Sequence, residues 1–217
     1  MATMLAFIVT DVKTDFEFLN DLLPSIADRT FNRITVDGEM STNDMFCILA
    51  SGKGKSESVT SQFSEEGQIL AEAIEAVTKE LALAIVRDGE GATKLVEIRV
   101  SGAASGDDAE TLVRTIAGSP LVKTALHGGD PNWGRILAAA GRSGAKIDES
   151  CATIRLGGVE VFVKGAAVQP VPEAAAAKLA EKDVLVELDL GLGEGGAGLW
   201  TCDLTKGYVE INAHYHT

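Results

Sequence analysis

Met1-Ala2-Thr3-Met4-Leu5-Ala6-Phe7-Ile8-Val9-Thr10-Asp11 opens the chain. From Met4 to Val9 runs an unbroken apolar stretch, too short to span a membrane and of the right length for a strand buried on both faces. Such a strand is normally threaded through a domain, because a free terminus there leaves a charge and backbone groups to satisfy. Here a hydroxyl residue, Thr3, stands at its head. A threonine at a processed N-terminus can be a nucleophile whose own α-amine serves as the base. The plainer alternative is a threonine that merely opens a strand.

The 217 residues suit one large domain or two small ones, with enough chain for a substantial core. A composition of 46% hydrophobic and 24% charged residues is ordinary for a soluble globular protein. With 19 basic against 32 acidic residues the net charge is −13, and no basic patch stands out. Nucleic acid and anionic membranes are therefore poor partners, and amine-bearing small molecules fit better. Cys47, Cys151 and Cys202 are far apart and form no C-x-x-C pair, which favours a reducing compartment over a disulfide framework or zinc knuckle. No basic segment precedes the N-terminal apolar run, and no apolar stretch approaches ~18 residues. A cytoplasmic protein is expected.

Outward from the first strand, Thr14-Asp15 reads as a helix start, with Phe16, Leu19, Leu22 and Leu23 as the apolar face. Pro24 is expected to kink that helix or begin a second one running to about Phe31. Ile34-Thr35-Val36 reads as a strand closed by the turn Asp37-Gly38, and Met45 to Ala50 as another strand. The clearest helix begins at Ser64 and runs to Arg87, with Leu70, Ile74, Val77, Leu81 and Ile85 on one face. Leu95 to Val100 alternates as a strand, Asp107 to Ile116 is a helix, and Leu121 to Ala125 is a short strand or extended piece. Asp130-Pro131 opens a further helix. Gly157-Gly158 joins strands Thr153–Leu156 and Val159–Lys164 in a hairpin. An alanine-rich helix over Glu173–Leu179 precedes a long strand from Val184 to Leu190. A glycine-rich link, Leu199-Trp200-Thr201-Cys202, Tyr208 to Asn212 and a tail ending at Thr217 complete the chain. Irregular interleaving of strands and helices gives a mixed α+β layered fold.

Several short motifs invite a sharper reading and do not support it. Gly52-Lys53-Gly54-Lys55-Ser56 looks like a phosphate loop, but the required glycine five positions before Gly54 is Leu49. Gly191-Leu192-Gly193-Glu194-Gly195-Gly196 fits G-x-G-x-x-G, yet a strand follows it where a dinucleotide site needs a helix, so a glycine-rich hairpin is expected. His214 and His216 lack a third metal ligand, and no metal site is assigned. A triad built on His127 is conceivable, but a turn-stabilising or packing histidine fits its loop better.

Taken together, longer motifs in fixed order resemble one family. They are Met1-Ala2-Thr3-Met4-Leu5 with Thr10-Asp11, then Asp37-Gly38 with Ser41-Thr42-Asn43-Asp44. Asp88-Gly89-Glu90-Gly91-Ala92-Thr93-Lys94 and Leu121-Val122-Lys123-Thr124-Ala125 follow. Asp130-Pro131-Asn132-Trp133-Gly134-Arg135 comes next, and Cys202-Asp203-Leu204-Thr205 with Tyr208-Val209 and Asn212 completes the set. The chain is similar over its whole length to the C-terminal (β) half of the ornithine acetyltransferases, or glutamate N-acetyltransferases, of arginine biosynthesis.

That resemblance implies a single precursor that cuts itself between Ala2 and Thr3, freeing Thr3 as the nucleophile. Thr3 would take acetyl from N-acetylornithine and pass it to glutamate, giving ornithine and N-acetylglutamate, with no cofactor. Some members also accept acetyl-CoA as donor. The implied fold is a layered α-β sandwich resembling N-terminal-nucleophile folds with different connectivity. An N-terminal α chain, absent from these residues 1–217, would complete an α2β2 heterotetramer and supply oxyanion-hole donors. The family's substrate-binding positions fall on Thr3, Glu90, Asn212 and Thr217. A carboxylate can hold an ammonium, and an amide or hydroxyl a carboxylate, the groups that ornithine and glutamate both carry. While Met1-Ala2 remain attached, the Thr3 amine is acylated and cannot act as base. The alternatives are an aminopeptidase-like amidase, whose acceptor is water, and a non-catalytic acidic binding subunit.

Overall fold

The computed structural model describes residues 4–55 and 57–215. The chain divides into two compact units, one of residues 1–34 and 39–85, the other of residues 35–38 and 86–217.

In the first unit β1 (Leu5–Thr10) and β2 (Met45–Ala50) pair in parallel, Leu5 opposite Met45 through Thr10 opposite Ala50. Parallel strands need a crossover, and the segment between them supplies it with α1 (Phe16–Arg29). Asp15 caps α1 by accepting from Phe18 N at 2.8 Å. Spacing of four places Phe18, Leu22 and Ile26 on one buried face, packed with Ile8, Val59, and Leu70 and Ile74 of α2 (Glu65–Arg87). Ser64 caps α2 through Gly67 N, as its sequence implied.

Three sequence expectations are corrected in this part of the chain. Pro24 lies inside a single helix and starts no second one. It removes one intrahelical bond, and burial of Leu22 and Ile26 on either side holds the helix through that loss. Ile34-Thr35-Val36 is not a strand: Phe31–Arg33 is a 3-10 turn, and Thr35 N donates to Trp200 O at 2.9 Å outside any ladder. The first strand is buried on one face only. Ala6 and Ile8 are inside, while Leu5, Phe7 and Val9 are exposed, Val9 at 74%, beside Met45 and Leu49. Along α2 the buried line is Leu70, Ile74, Thr78 and Ala82, so Val77 falls just outside it. The Gly52–Lys55 segment is irregular and largely exposed, the surface loop its sequence suggested.

The second unit is a six-stranded sheet with helices packed on one face. Its strands are β3 (Leu95–Ala103), β4 (Thr153–Leu156), β5 (Val159–Val163), β6 (Ala166–Ala167), β7 (Asp183–Asp189) and β8 (Gly195–Cys202). Their order is β6-β5-β4-β7-β3-β8. Two further helices, α3 (Gly106–Ala117) and α6 (Glu173–Leu179), pack on β3 and β8 and on β4 and β5 respectively. Strand alternation sends Val96, Ile98, Val100, Val184, Val186 and Leu188 into the core, against Leu112 and Ile116 of α3. The opposite face carries a row of alternating charge. Glu160 faces Arg155, Arg155 faces Glu187, and Glu187 faces Arg99 across four neighbouring strands. Such a layer is the α+β arrangement the sequence indicated.

The β4–β5 hairpin forms as expected, Gly157 and Gly158 both at positive φ. The glycine-rich link after β7 does not close a hairpin: β3 lies between β7 and β8, parallel to the first and antiparallel to the second. Leu121 to Ala125 is not extended but lies within α4 (Pro120–Gly128). Ser119 caps it, Pro120 begins it and Gly129, in the left-handed region, ends it. The expected helix after Asp130-Pro131 is α5 (Trp133–Gly141), capped by Asn132. The chain then closes with α7 (Lys206–His214), which contains Tyr208 to Asn212. Among the described residues no helix is long and apolar enough to cross a membrane.

Candidate functional site

Beyond the end of α2 the chain turns through Asp88-Gly89-Glu90-Gly91, and a chain of hydrogen bonds ties that turn to α7. Gly91 has φ +67°, and a Cβ there would stand 2.4 Å from Tyr208 N. Only glycine permits this approach. Thr205, the N-cap of α7, accepts from Gly207 N at 3.0 Å and donates to Gly91 O at 2.7 Å. One turn on, the Tyr208 hydroxyl donates to Asp37 Oδ2 at 3.1 Å. Asn212 Nδ2 donates to Glu90 Oε2 at 2.6 Å and to Tyr208 O at 3.0 Å. A carboxylate and an amide 122 residues apart in sequence thus meet near the surface.

A second, buried carboxylate sits beneath the same loop. Asp203 has a side chain with no exposure. Its Oδ1 accepts from Thr93 N at 2.7 Å and Lys94 N at 3.0 Å. Its Oδ2 takes the Thr93 hydroxyl at 2.5 Å and faces His127 Nδ1 at 2.8 Å. Burial alone would push this carboxyl up, but the bonds from Thr93, His127 and Lys94 outweigh it and hold it below the usual carboxylate range. Lys94 Nζ reaches carbonyls in the last turns of two helices, Leu126 O of α4 at 2.6 Å and Leu179 O of α6 at 2.5 Å. Nearby, Lys123 is buried with Val36 O at 2.6 Å, Thr201 Oγ1 at 2.9 Å and Cys202 Sγ at 3.6 Å. Desolvation lowers its ammonium from the usual lysine value and raises the Cys202 thiol.

Of the residues singled out from sequence, Glu90 and Asn212 are brought together. Ala2, Thr3 and Thr217 lie outside the described residues, as does His216. His214 falls in the last turn of α7. His127 does not assemble a nucleophile–base–acid series, because the Thr93 hydroxyl bonds the aspartate and not the imidazole. It braces the loop, as its sequence context suggested. Asp203 and Thr205 were quoted as motif residues without a role. Their signal was a Thr cap two residues after a strand-end aspartate, readable only once α7 is known to be a helix.

Gly91→Ala is expected to lower stability by ~1–3 kcal/mol, since a left-handed non-glycine residue and a backbone clash coincide. A thermal melt of the variant checks it, and an unchanged midpoint would show that the loop yields freely.

The comparisons with known proteins bear on the chain as a whole. The model of the ArgJ family matches residues 1–217. The chain belongs to the ArgJ family. Among curated relatives it is 48% identical over 217 residues to the arginine biosynthesis bifunctional protein ArgJ of Dehalococcoides mccartyi, and 46% identical over 218 residues to that of Geobacillus kaustophilus. All of this chain is covered in both comparisons, but only 53% of each relative, so it spans about half the length of the curated ArgJ proteins it matches. The crystal structure of arginine biosynthesis bifunctional protein ArgJ from Bacillus halodurans superposes with a TM-score of 0.90 at 41% identity. That match covers 98% of this chain and 100% of the solved one.

Proposed function

We propose that residues 1–217 are the C-terminal β half of a self-cleaving N-acyltransferase of arginine biosynthesis, moving acetyl from N-acetylornithine to glutamate. The observation that carries this reading is the 2.6 Å hydrogen bond from Asn212 Nδ2 to Glu90 Oε2. It sets a carboxylate that can take a substrate ammonium beside an amide whose second N–H, now given to Tyr208 O, is the one that can turn to a substrate carboxylate. Thr217 would offer a hydroxyl to a substrate carboxylate. Cleavage between Ala2 and Thr3 frees the Thr3 amine. That amine takes the proton of Thr3 Oγ as the oxygen attacks the acetyl carbonyl, then delivers it to the departing ornithine amine. The glutamate amine next attacks the acetyl ester, and N-acetylglutamate leaves with Thr3 restored. Acetyl-CoA is a second donor in this reading.

The partner is the N-terminal α chain of the same precursor, in an α2β2 assembly in the cytoplasm. Two observations support it: the relatives are nearly twice as long, and β1–β2 leaves Leu5, Phe7, Val9, Met45 and Leu49 exposed on one face. A two-stranded parallel sheet is ordinarily covered on both faces. The missing half is its occupant. Purified alone, the chain is expected to lack transferase activity and to self-associate, and co-expression with the N-terminal half should restore both solubility and transfer. Full transfer by the isolated monomer would overturn the two-chain reading. Release of acetate without acetylation of glutamate would instead indicate an amidase.

A further inference from the structure

We infer that Asp203 is a positioning residue that sets the Glu90–Asn212 pair through the loop between them. The inference rests on the proposed role of Glu90 in holding the substrate ammonium.

The segment Asp203-Leu204-Thr205 ties to the loop that carries Glu90 and starts the helix that carries Asn212. On one side, Asp203 fixes Thr93 N, the Thr93 hydroxyl and Lys94 N, three and four residues after Glu90. On the other, Thr205 begins the helix that carries Asn212 and donates to Gly91 O, the carbonyl next to Glu90. Apart from these ties, the loop's own backbone bonds are local, Gly89 N to Val86 O and Ala92 N to Gly89 O. Glu90 and Asn212 are themselves only partly buried or exposed, so packing does not hold them. The rigid reference in this region is the fully buried carboxylate, satisfied by four donors. Removing it frees the loop just where a 2.6 Å contact must be kept.

Asparagine can occupy the same place. Its oxygen still accepts from Thr93 N and Lys94 N. Its NH2 can donate to the Thr93 hydroxyl, and to His127 once that ring moves its proton to Nε2. Asp203→Asn therefore keeps most of the clamp, and Asp203→Ala loses it.

The test measures kcat and KM for N-acetylornithine in the complete two-chain enzyme. Asp203→Ala is expected to raise KM roughly 10- to 100-fold with kcat held within about 3-fold, the pattern of lost uniform binding. Asp203→Asn should stay within about 5-fold of the parent. In a Glu90→Gln background Asp203→Ala should add almost nothing, because the residue it positions no longer binds. Should Asp203→Ala fail to fold, Asp203→Ser, which keeps one acceptor, carries the same test at smaller size. Additive losses in the double variant, or a fall in kcat alone, would overturn the inference and leave Asp203 a stability residue. If Glu90→Gln by itself leaves KM unchanged, the substrate reading fails instead, and the two failures are told apart.

Discussion

Thr3→Ala, made in the full precursor, is expected to abolish self-cleavage and acetyl transfer together, with transfer falling by at least ~10⁴-fold. On the proposed route one hydroxyl would perform both acyl shifts, first attacking its own preceding carbonyl, of Ala2, and later the acetyl carbonyl of the donor. Alanine keeps the backbone and removes the attacking atom. Thr3→Ser keeps that atom and loses only the methyl group, so it should retain part of each activity. A free α-amine is a base suited to proton transfer near neutral pH. Gel analysis of the precursor and an acetyl-transfer assay check the two halves of the claim separately. Cleavage that survives Thr3→Ala would locate the scissile chemistry elsewhere.

The second large effect is expected at Glu90, where charge and shape can be separated. Glu90 lies three residues past the end of α2, the end at which a helix dipole carries partial negative charge. Asn212 supplies one donor at 2.6 Å, a dipole and not a cation. In the proposed function the bound ammonium of N-acetylornithine, or of ornithine as product, would supply the cation. Glu90→Gln preserves size and still accepts from Asn212 through its amide oxygen. It should cost N-acetylornithine use ~2–4 kcal/mol in kcat/KM. The ligand-free protein should melt no lower than the parent, and slightly higher if the helix end is relieved. Kinetics with melting curves decide it: unchanged kcat/KM would reduce Glu90 to a loop acid.

What the sequence disclosed follows from how local each signal is. The helix from Glu65 to Arg87 and the Gly157-Gly158 hairpin are written in adjacent residues, and both formed where expected. Leu121 to Ala125 does not disclose its helix because five residues hold less than two helical turns. The stronger signal, the Ser119 cap and Pro120, lay just outside the window. Ile34 to Val36 has the composition of a strand, but beyond a bridge at Ile34 and one backbone bond to edge strand β8 no ladder follows. Val36 O accepts from buried Lys123, and Thr35 N donates to Trp200 O. Insertion of β3 between β7 and β8 is a pairing across more than eighty residues that no turn signal could announce. The same holds at the site. Glu90 and Asn212 could be named only through resemblance, since 122 residues separate them and neither stands in a short motif with the other. Asp203 had no legible role at all. The role inferred for it rests on burial and on four donors gathered from two distant segments.

The most direct measurement is the mass of the enzyme caught in mid-reaction. The complete two-chain protein is incubated with N-acetylornithine without glutamate, quenched in acid, digested and mapped by mass spectrometry. One acetyl group is expected on the peptide that begins at Thr3, disappearing when glutamate is added before the quench. Acetyl on any other residue, or steady turnover with no acetylated peptide, would contradict the acetyl-threonine route.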